Sequence, residues 1–116
     1  MSIARPIDLS RLVREAISAS SDDDRLQLTT ALEPHPLMVT MVETDLKRLL
    51  DLLIEDCFRK GPVLFAVYST KDHRRVRLEL AGVAVSRTEA IDLVHAAGGI
   101  YTAENHTTTI DLPRSR

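Results

Sequence analysis

The sequence contains few of the residues on which several common functions depend. Its 116 residues include one cysteine, no tryptophan and only 3% aromatic residues. Cys57 alone cannot form an internal disulfide, which favours a reducing compartment, and so few aromatic rings provide no platform for stacked bases. No apolar run approaches the ~20 residues of a transmembrane helix, and no signal peptide is visible. These absences predict a cytoplasmic protein without a membrane-inserted segment.

Positive charge is not in excess either. The chain has 15 Lys and Arg residues against 17 Asp and Glu residues, a formal net charge of −2. A nucleic-acid-binding protein needs a basic face to neutralise phosphates, so we expect no nucleic-acid partner. Hydrophobic residues (44%) and charged residues (28%) are present in ordinary globular proportions. The length fits one domain, which we assign to residues 1–116.

Three segments have the apolar spacing of amphipathic helices, and we predict helices over residues 8–18, 43–60 and 86–97. Asp8 is placed to cap the first helix, and Ser86 with Glu89 has the spacing of a capping box for the third. The second helix has the strongest apolar stripe, formed by Leu46, Leu49, Leu50, Leu53, Ile54, Cys57 and Phe58. Runs of β-prone residues predict strands over 25–32, 37–41, 63–69, 76–85, 100–103 and 107–112.

The order of these elements predicts the fold class. It runs helix, two strands, long helix, two strands, helix, two strands, and each helix has one apolar stripe that needs a sheet face to cover it. We therefore expect an α+β two-layer sandwich, in which a mixed β-sheet carries all three helices on one face.

Three stretches resemble parts of the ATP-binding domain of bacterial histidine kinases, whose fold is shared with gyrase- and chaperone-type ATPases. Residues 6–16 (PIDLSRLVREA) resemble the segment that follows the phosphoacceptor helices. Residues 52–62 (LLIEDCFRKGP) resemble the asparagine box. Residues 96–100 (AAGGI) and 110–113 (IDLP) resemble the closing helix and the last strand. The resemblance covers nearly the whole chain.

The residues that bind nucleotide in that family are replaced in this chain. The resemblance implies that the first asparagine of the box faces the nucleotide and the second holds magnesium, but Leu52 and Asp56 stand there. Leu80 replaces the aspartate that reads adenine, and only Gly82 remains of the glycine box. The long lid and the second glycine-rich box are missing. We therefore expect no ATP, no magnesium and no other cofactor.

The replaced positions suggest a relic pocket that now contacts a partner protein. Leu52 and Asp56 are four residues apart on one helix face, which we expect to lie off the core stripe. Leu80 and Val83 would add an apolar patch at the same mouth. The candidate contact surface thus comprises Leu52, Asp56, Leu80, Gly82 and Val83. The alternative is a solvated helix face with one exposed leucine.

No catalytic residue and no metal ligand is predicted. The histidines lie in different elements without the spacing of metal ligands, and the three aspartates at 22–24 are a charged loop. Cys57 lies in the core stripe, where a small thiol is ordinary. The four histidines are His35, His73, His95 and His106.

Three functions stay open. The first is a non-ATP-binding signalling domain of a bacterial two-component or phosphorelay system, similar to the pseudo-ATPase domains of bacterial histidine phosphotransferases. Its partner would be a response regulator or another signalling protein. The second is a divergent histidine kinase catalytic domain that still binds ATP, and the third is a structural dimerisation unit. A pocket filled by Leu52 and Leu80 favours the first or the third, and a polar pocket favours the second. The oligomeric state is left open.

Overall fold

The computed structural model describes residues 3–19, 28–32, 36–60, 63–82, 84 and 86–115. The elements are β1 (Ala4–Asp8), α1 (Leu9–Ser18), β2 (Leu28–Leu32), β3 (Met38–Val42), α2 (Glu43–Lys60), β4 (Val63–Ser69), β5 (Arg75–Ala81), α3 (Thr88–Ala96), β6 (Ile100–Glu104) and β7 (Thr107–Pro113). The three predicted helices are present within one or two residues of their expected bounds.

The predicted N-terminal cap is confirmed for α1 and is wrong for α3. Asp8 caps α1 as predicted, because its side chain accepts a hydrogen bond from the Arg11 backbone N–H at 3.3 Å. The capping box predicted for α3 is wrong. Arg87 is the N-cap residue and makes no side-chain cap hydrogen bond. The Glu89 carboxylate is held instead by Arg48 of α2, at 2.6 Å and 3.0 Å.

Five strands form a mixed sheet in the order β2-β4-β5-β7-β6. The β2–β4 pair is parallel and the other three pairs are antiparallel. Alternation along β5 is regular: Val76, Leu78 and Leu80 are buried, while the residues between them are partly exposed. The sheet thus has one face toward the core and one open face, as expected for a two-layer α+β domain.

The remaining two strands form a separate antiparallel ribbon, β1 with β3. Strand β1 was not among the predicted elements. Only Ile7 of its five residues is buried, so the strand shows no apolar alternation in the sequence. Pro6 supplies no backbone N–H, which also makes a strand unexpected there. It pairs with β3 nonetheless, from Ala4 opposite Val42 to Asp8 opposite Met38.

One hydrophobic core joins all three helices, the ribbon and the inner face of the sheet. The predicted stripe of α2 is buried as far as its side chains are described, from Leu46 to Ile54. Helix α2 lies between α1 and α3 and contacts both. No helix in the described ranges has the length and apolar character needed to cross a bilayer.

Candidate functional site

Leu52, at the first position of the asparagine-box resemblance, is part of the core. Its side chain is 1% exposed, so the expectation that it lies off the buried stripe is wrong. Because α2 is covered by α1 on one side and α3 on the other, it buries a wider arc than a single stripe. Leu52 is therefore not accessible to a partner protein.

Leu80, which the resemblance aligns with the adenine-reading aspartate, is also buried. It is paired with Phe65 of β4 and Thr108 of β7, and all three side chains are 0% exposed. The row is apolar except for the Thr108 hydroxyl. Leu80 therefore contributes nothing to the apolar patch expected from Leu80 and Val83, because its side chain, like that of Leu52, fills the core.

Asp56, which the resemblance aligns with the magnesium-binding asparagine, accepts hydrogen bonds from a guanidinium group. Arg87 Nη1 lies 3.3 Å from Oδ1 and 3.4 Å from Oδ2 of this carboxylate, and 3.8 Å from an oxygen of Glu55. The Asp56 side chain is only 15% exposed. Its negative charge is thus compensated by the residue that immediately precedes α3.

Arg87 was not singled out from the sequence. A cation at a helix N-terminus is unfavourable for the helix dipole. The position of Arg87 just before Thr88 was therefore the one signal in the sequence that this arginine pairs with an acidic residue elsewhere. Its pairs with Glu55 and Asp56, together with the Arg48–Glu89 pair, link α2 to α3 and its N-cap residue.

Tyr101 on β6 belongs to the same region. Burial, and to a smaller extent the charge of Asp56, raises the pKa of Tyr101 to about 12. The phenol is therefore neutral at physiological pH, and it packs against the core.

Gly82 is the exposed member of the candidate surface next to β5. Its φ of 113° is in the region that favours glycine. Its N–H donates to the backbone oxygen of His106 at 2.8 Å, so this group is used to hold the β6–β7 turn and is not directed at a phosphate. Val83 lies outside the described residues. Six residues separate the end of β5 from the start of α3, which leaves no length for a lid.

The other candidate residues do not assemble into a site. His73, His95 and His106 are exposed, and His35 lies outside the described residues, as does the side chain of Cys57. In the part of the chain that is described, no group of three His, Cys, Asp or Glu side chains has the geometry of a metal centre.

Comparison with solved structures identifies the architecture. The structure matches the catalytic domain of the histidine kinase ThkA with a TM-score of 0.79 at 14% identity, over 96% of this chain and 97% of that one. It matches the histidine kinase domain of the E. coli osmosensor EnvZ with a TM-score of 0.72 at 18% identity, over 100% and 91% of the two chains. The chain has the fold of a histidine kinase catalytic domain.

A third match is the ATP-binding domain of PrrB from Mycobacterium tuberculosis, with a TM-score of 0.71 at 18% identity, over 97% of this chain and 98% of that one. No protein-family profile and no curated protein matches the sequence. The TM-scores establish the fold, and at identities this low the activity has to be argued from the chemistry of the site.

Proposed function

We propose that this chain is a signalling domain with the histidine kinase fold that does not bind ATP and acts through protein contact. It would work in the cytoplasm of a bacterium, in a two-component or phosphorelay system, with a response regulator or another signalling protein as partner. The observation that carries the proposal is the burial of Leu52 and Leu80, because apolar side chains then fill the positions where the family resemblance implies nucleotide contacts.

The replaced residues would remove contacts to three parts of the ligand separately: the adenine, the phosphates and the magnesium ion. Leu80 offers no acceptor for the adenine amino group, and a polar group buried without a partner costs about 1–3 kcal/mol. The Gly82 N–H is already hydrogen-bonded. Asp56 is the one carboxylate left at the metal position, and magnesium needs several oxygen ligands in octahedral geometry. Arg87 also competes for this carboxylate. The burial of Leu52 and Leu80 also favours a structural dimerisation unit over the ATP-binding alternative, and no feature of the described residues favours ATP binding.

Thermal denaturation with nucleotide tests the absence of ATP binding. A ligand at 100 times its Kd stabilises the fold by about 2.7 kcal/mol, which for a domain of this size raises the Tm by roughly 10 °C. We expect a shift below ~1 °C at millimolar ATP with magnesium. Pyrophosphate is the control, since a shift of several degrees with ATP or ADP but not with pyrophosphate would show a working adenine pocket and contradict the proposal.

The contact itself is tested in the segment that joins β5 to α3, next in sequence to the candidate residues Gly82 and Val83. Ala84 in this segment is exposed, so Ala84→Arg adds bulk there without disturbing the core. We expect it to weaken binding to a response regulator encoded beside this chain at least about tenfold, or 1.4 kcal/mol. Thr102→Arg, at an exposed position on β6, is the matched control. Equal binding by both variants, measured by calorimetry, would exclude this contact surface.

A further inference from the structure

The open face of the five-stranded sheet contains a groove at the β4–β5 hairpin. Its volume is about 650 Å³, and residues from β4, the hairpin loop, β5 and β7 line it. It lies on the face opposite to Val76 and Leu78, so it is separate from the buried side chain of Leu80 on the inner face. The charged residues in its lining are Lys71, Asp72, Arg75, Arg77 and Asp111.

Both carboxylates of the groove are engaged within the protein. Asp111 receives two hydrogen bonds from Arg77, at 2.7 Å and 3.0 Å, and the bond to Asp111 raises the pKa of this guanidinium. Asp72 accepts from the Arg74 N–H at 3.0 Å and from the Thr70 hydroxyl at 2.7 Å. These backbone and hydroxyl hydrogen bonds lower the pKa of Asp72. Its carboxylate therefore stays ionised, and its hydrogen bonds are made within the loop.

Two cations of the groove have no such partner. Neither Lys71 nor Arg75 lies within ion-pair distance of a carboxylate in the described part of the chain. Nη1 of Arg75 is shielded from solvent and has no hydrogen-bond partner among the described residues. A buried charged donor left without an acceptor is costly, so an oxyanion in the groove would supply the missing acceptor once the guanidinium turned toward it.

Further positive charge adjoins the groove. Arg74 and Arg114 line a second depression of about 380 Å³ with His73 and Ser115. Arg114 Nη1 also donates to Ser69 of the first groove at 3.3 Å. The hairpin end of the sheet is therefore basic in a protein whose net charge is −2.

We propose that this groove binds a phosphate-type oxyanion, with Arg75 and Lys71 as the charged ligands. Two uncompensated positive charges match the charge of about −1.5 to −2 that a phosphate monoester has near neutral pH. The loop is organised for binding before a ligand arrives. Thr70 and Asp72 cross-link it, and the His73 N–H donates to the Thr70 oxygen at 2.9 Å. The phosphate group is either free or carried on a larger molecule.

Backbone amide NMR shifts during titration test this site on the whole chain. Inorganic phosphate is titrated at constant ionic strength against sodium chloride, and we expect saturable shifts at Thr70 to Arg75 with a Kd on the order of 10 mM. Arg75→Gln and Lys71→Gln should each weaken binding at least tenfold. Arg14→Gln, which removes an exposed arginine on α1, should leave it unchanged. The spectrum away from the hairpin reports whether each variant is folded.

A phosphoserine peptide and its unphosphorylated form identify the source of the phosphate. Tighter binding of the phosphopeptide than of inorganic phosphate indicates a phosphate carried on a partner, and equal binding indicates a free ion; both outcomes support the site. The proposal is overturned if phosphate gives no saturable shifts, if chloride reproduces them, or if Arg75→Gln and Lys71→Gln both bind as wild type. It is also overturned if only an acidic, unphosphorylated peptide binds.

Discussion

Leu52 shows how much one side chain contributes to this fold. It is 1% exposed on α2, between α1 and α3. Leu52→Ala removes buried methyl groups and leaves a cavity, which in cores costs about 2–5 kcal/mol. Asp51→Ala, an exposed neighbour on the same helix, is the control and should change stability by less than about 0.5 kcal/mol. Urea denaturation of both variants measures the difference, and equal midpoints would contradict the burial of Leu52.

Tyr101 provides a pH-dependent test of the same region. Its pKa is raised from 10.0 to about 12, by burial first and by the charge of Asp56 second. The protonated phenol is thus favoured by folding, and this contribution to stability is complete below pH 10 and lost as the pH rises toward 12. Tyrosinate absorbance should therefore appear at higher pH in the folded protein than in urea.

The variant Asp56→Asn separates the effect of burial on the pKa of Tyr101 from the effect of the Asp56 charge. Removing the carboxylate should lower the pKa of Tyr101, but not to 10.0, because burial is the larger cause and remains. Asp51→Asn is a matched control, since Asp51 is an exposed carboxylate on the same helix. An unchanged titration in Asp56→Asn would mean that this carboxylate does not act on Tyr101.

At the scale of elements, the junction of β1 and α1 depends on Asp8. This residue ends β1 and caps α1 through the Arg11 N–H. Asp8→Ala should cost about 0.5–2 kcal/mol, the usual effect of losing an N-cap side chain. Asp8→Asn, which keeps an oxygen acceptor, should recover most of this loss. Denaturant midpoints compare them, and equal losses in both variants would argue against a capping role.

The elements also show what sequence patterns convey. The apolar spacing of residues 8–18 and 43–60 predicted α1 and α2, because each helix buries a face and the period of that face is visible in the chain. The pattern did not reveal β1, whose exposed Ala4, Arg5 and Pro6 have no period of their own. Pairing with a distant strand, β3, creates that element.

The candidate site was harder to predict than the fold. The family resemblance located positions 52, 56, 80 and 82, but not the environment of their side chains. Leu52 is buried on a helix that contacts both α1 and α3, and periodicity within one helix contains no information about how many neighbours that helix has. The Asp56–Arg87 pair joins residues 31 positions apart, and only the tertiary structure brings them together.

At the scale of the whole molecule, the shared core predicts one cooperative unfolding transition. Ile7 of β1 and Val39 of β3 are in the same hydrophobic cluster as the sheet and helices. Tyr68 and Tyr101 both lie in the five-stranded sheet, so tyrosine fluorescence follows the sheet while far-ultraviolet circular dichroism follows every element. The two urea curves should coincide. Two separate transitions would mean that the β1–β3 ribbon and the sheet unfold independently.

Strand β6 has a consequence for solubility, because it forms one edge of the sheet. An edge strand offers its unpaired backbone groups to any second strand. Ile100 at one end is 50% exposed, and Glu104 at the other end is exposed as well. Parallel pairing of two β6 strands would bring two Glu104 carboxylates together. Antiparallel pairing would place Ile100 against Glu104 and remove water from a charge. Glu104 alone therefore opposes both modes of self-association through β6.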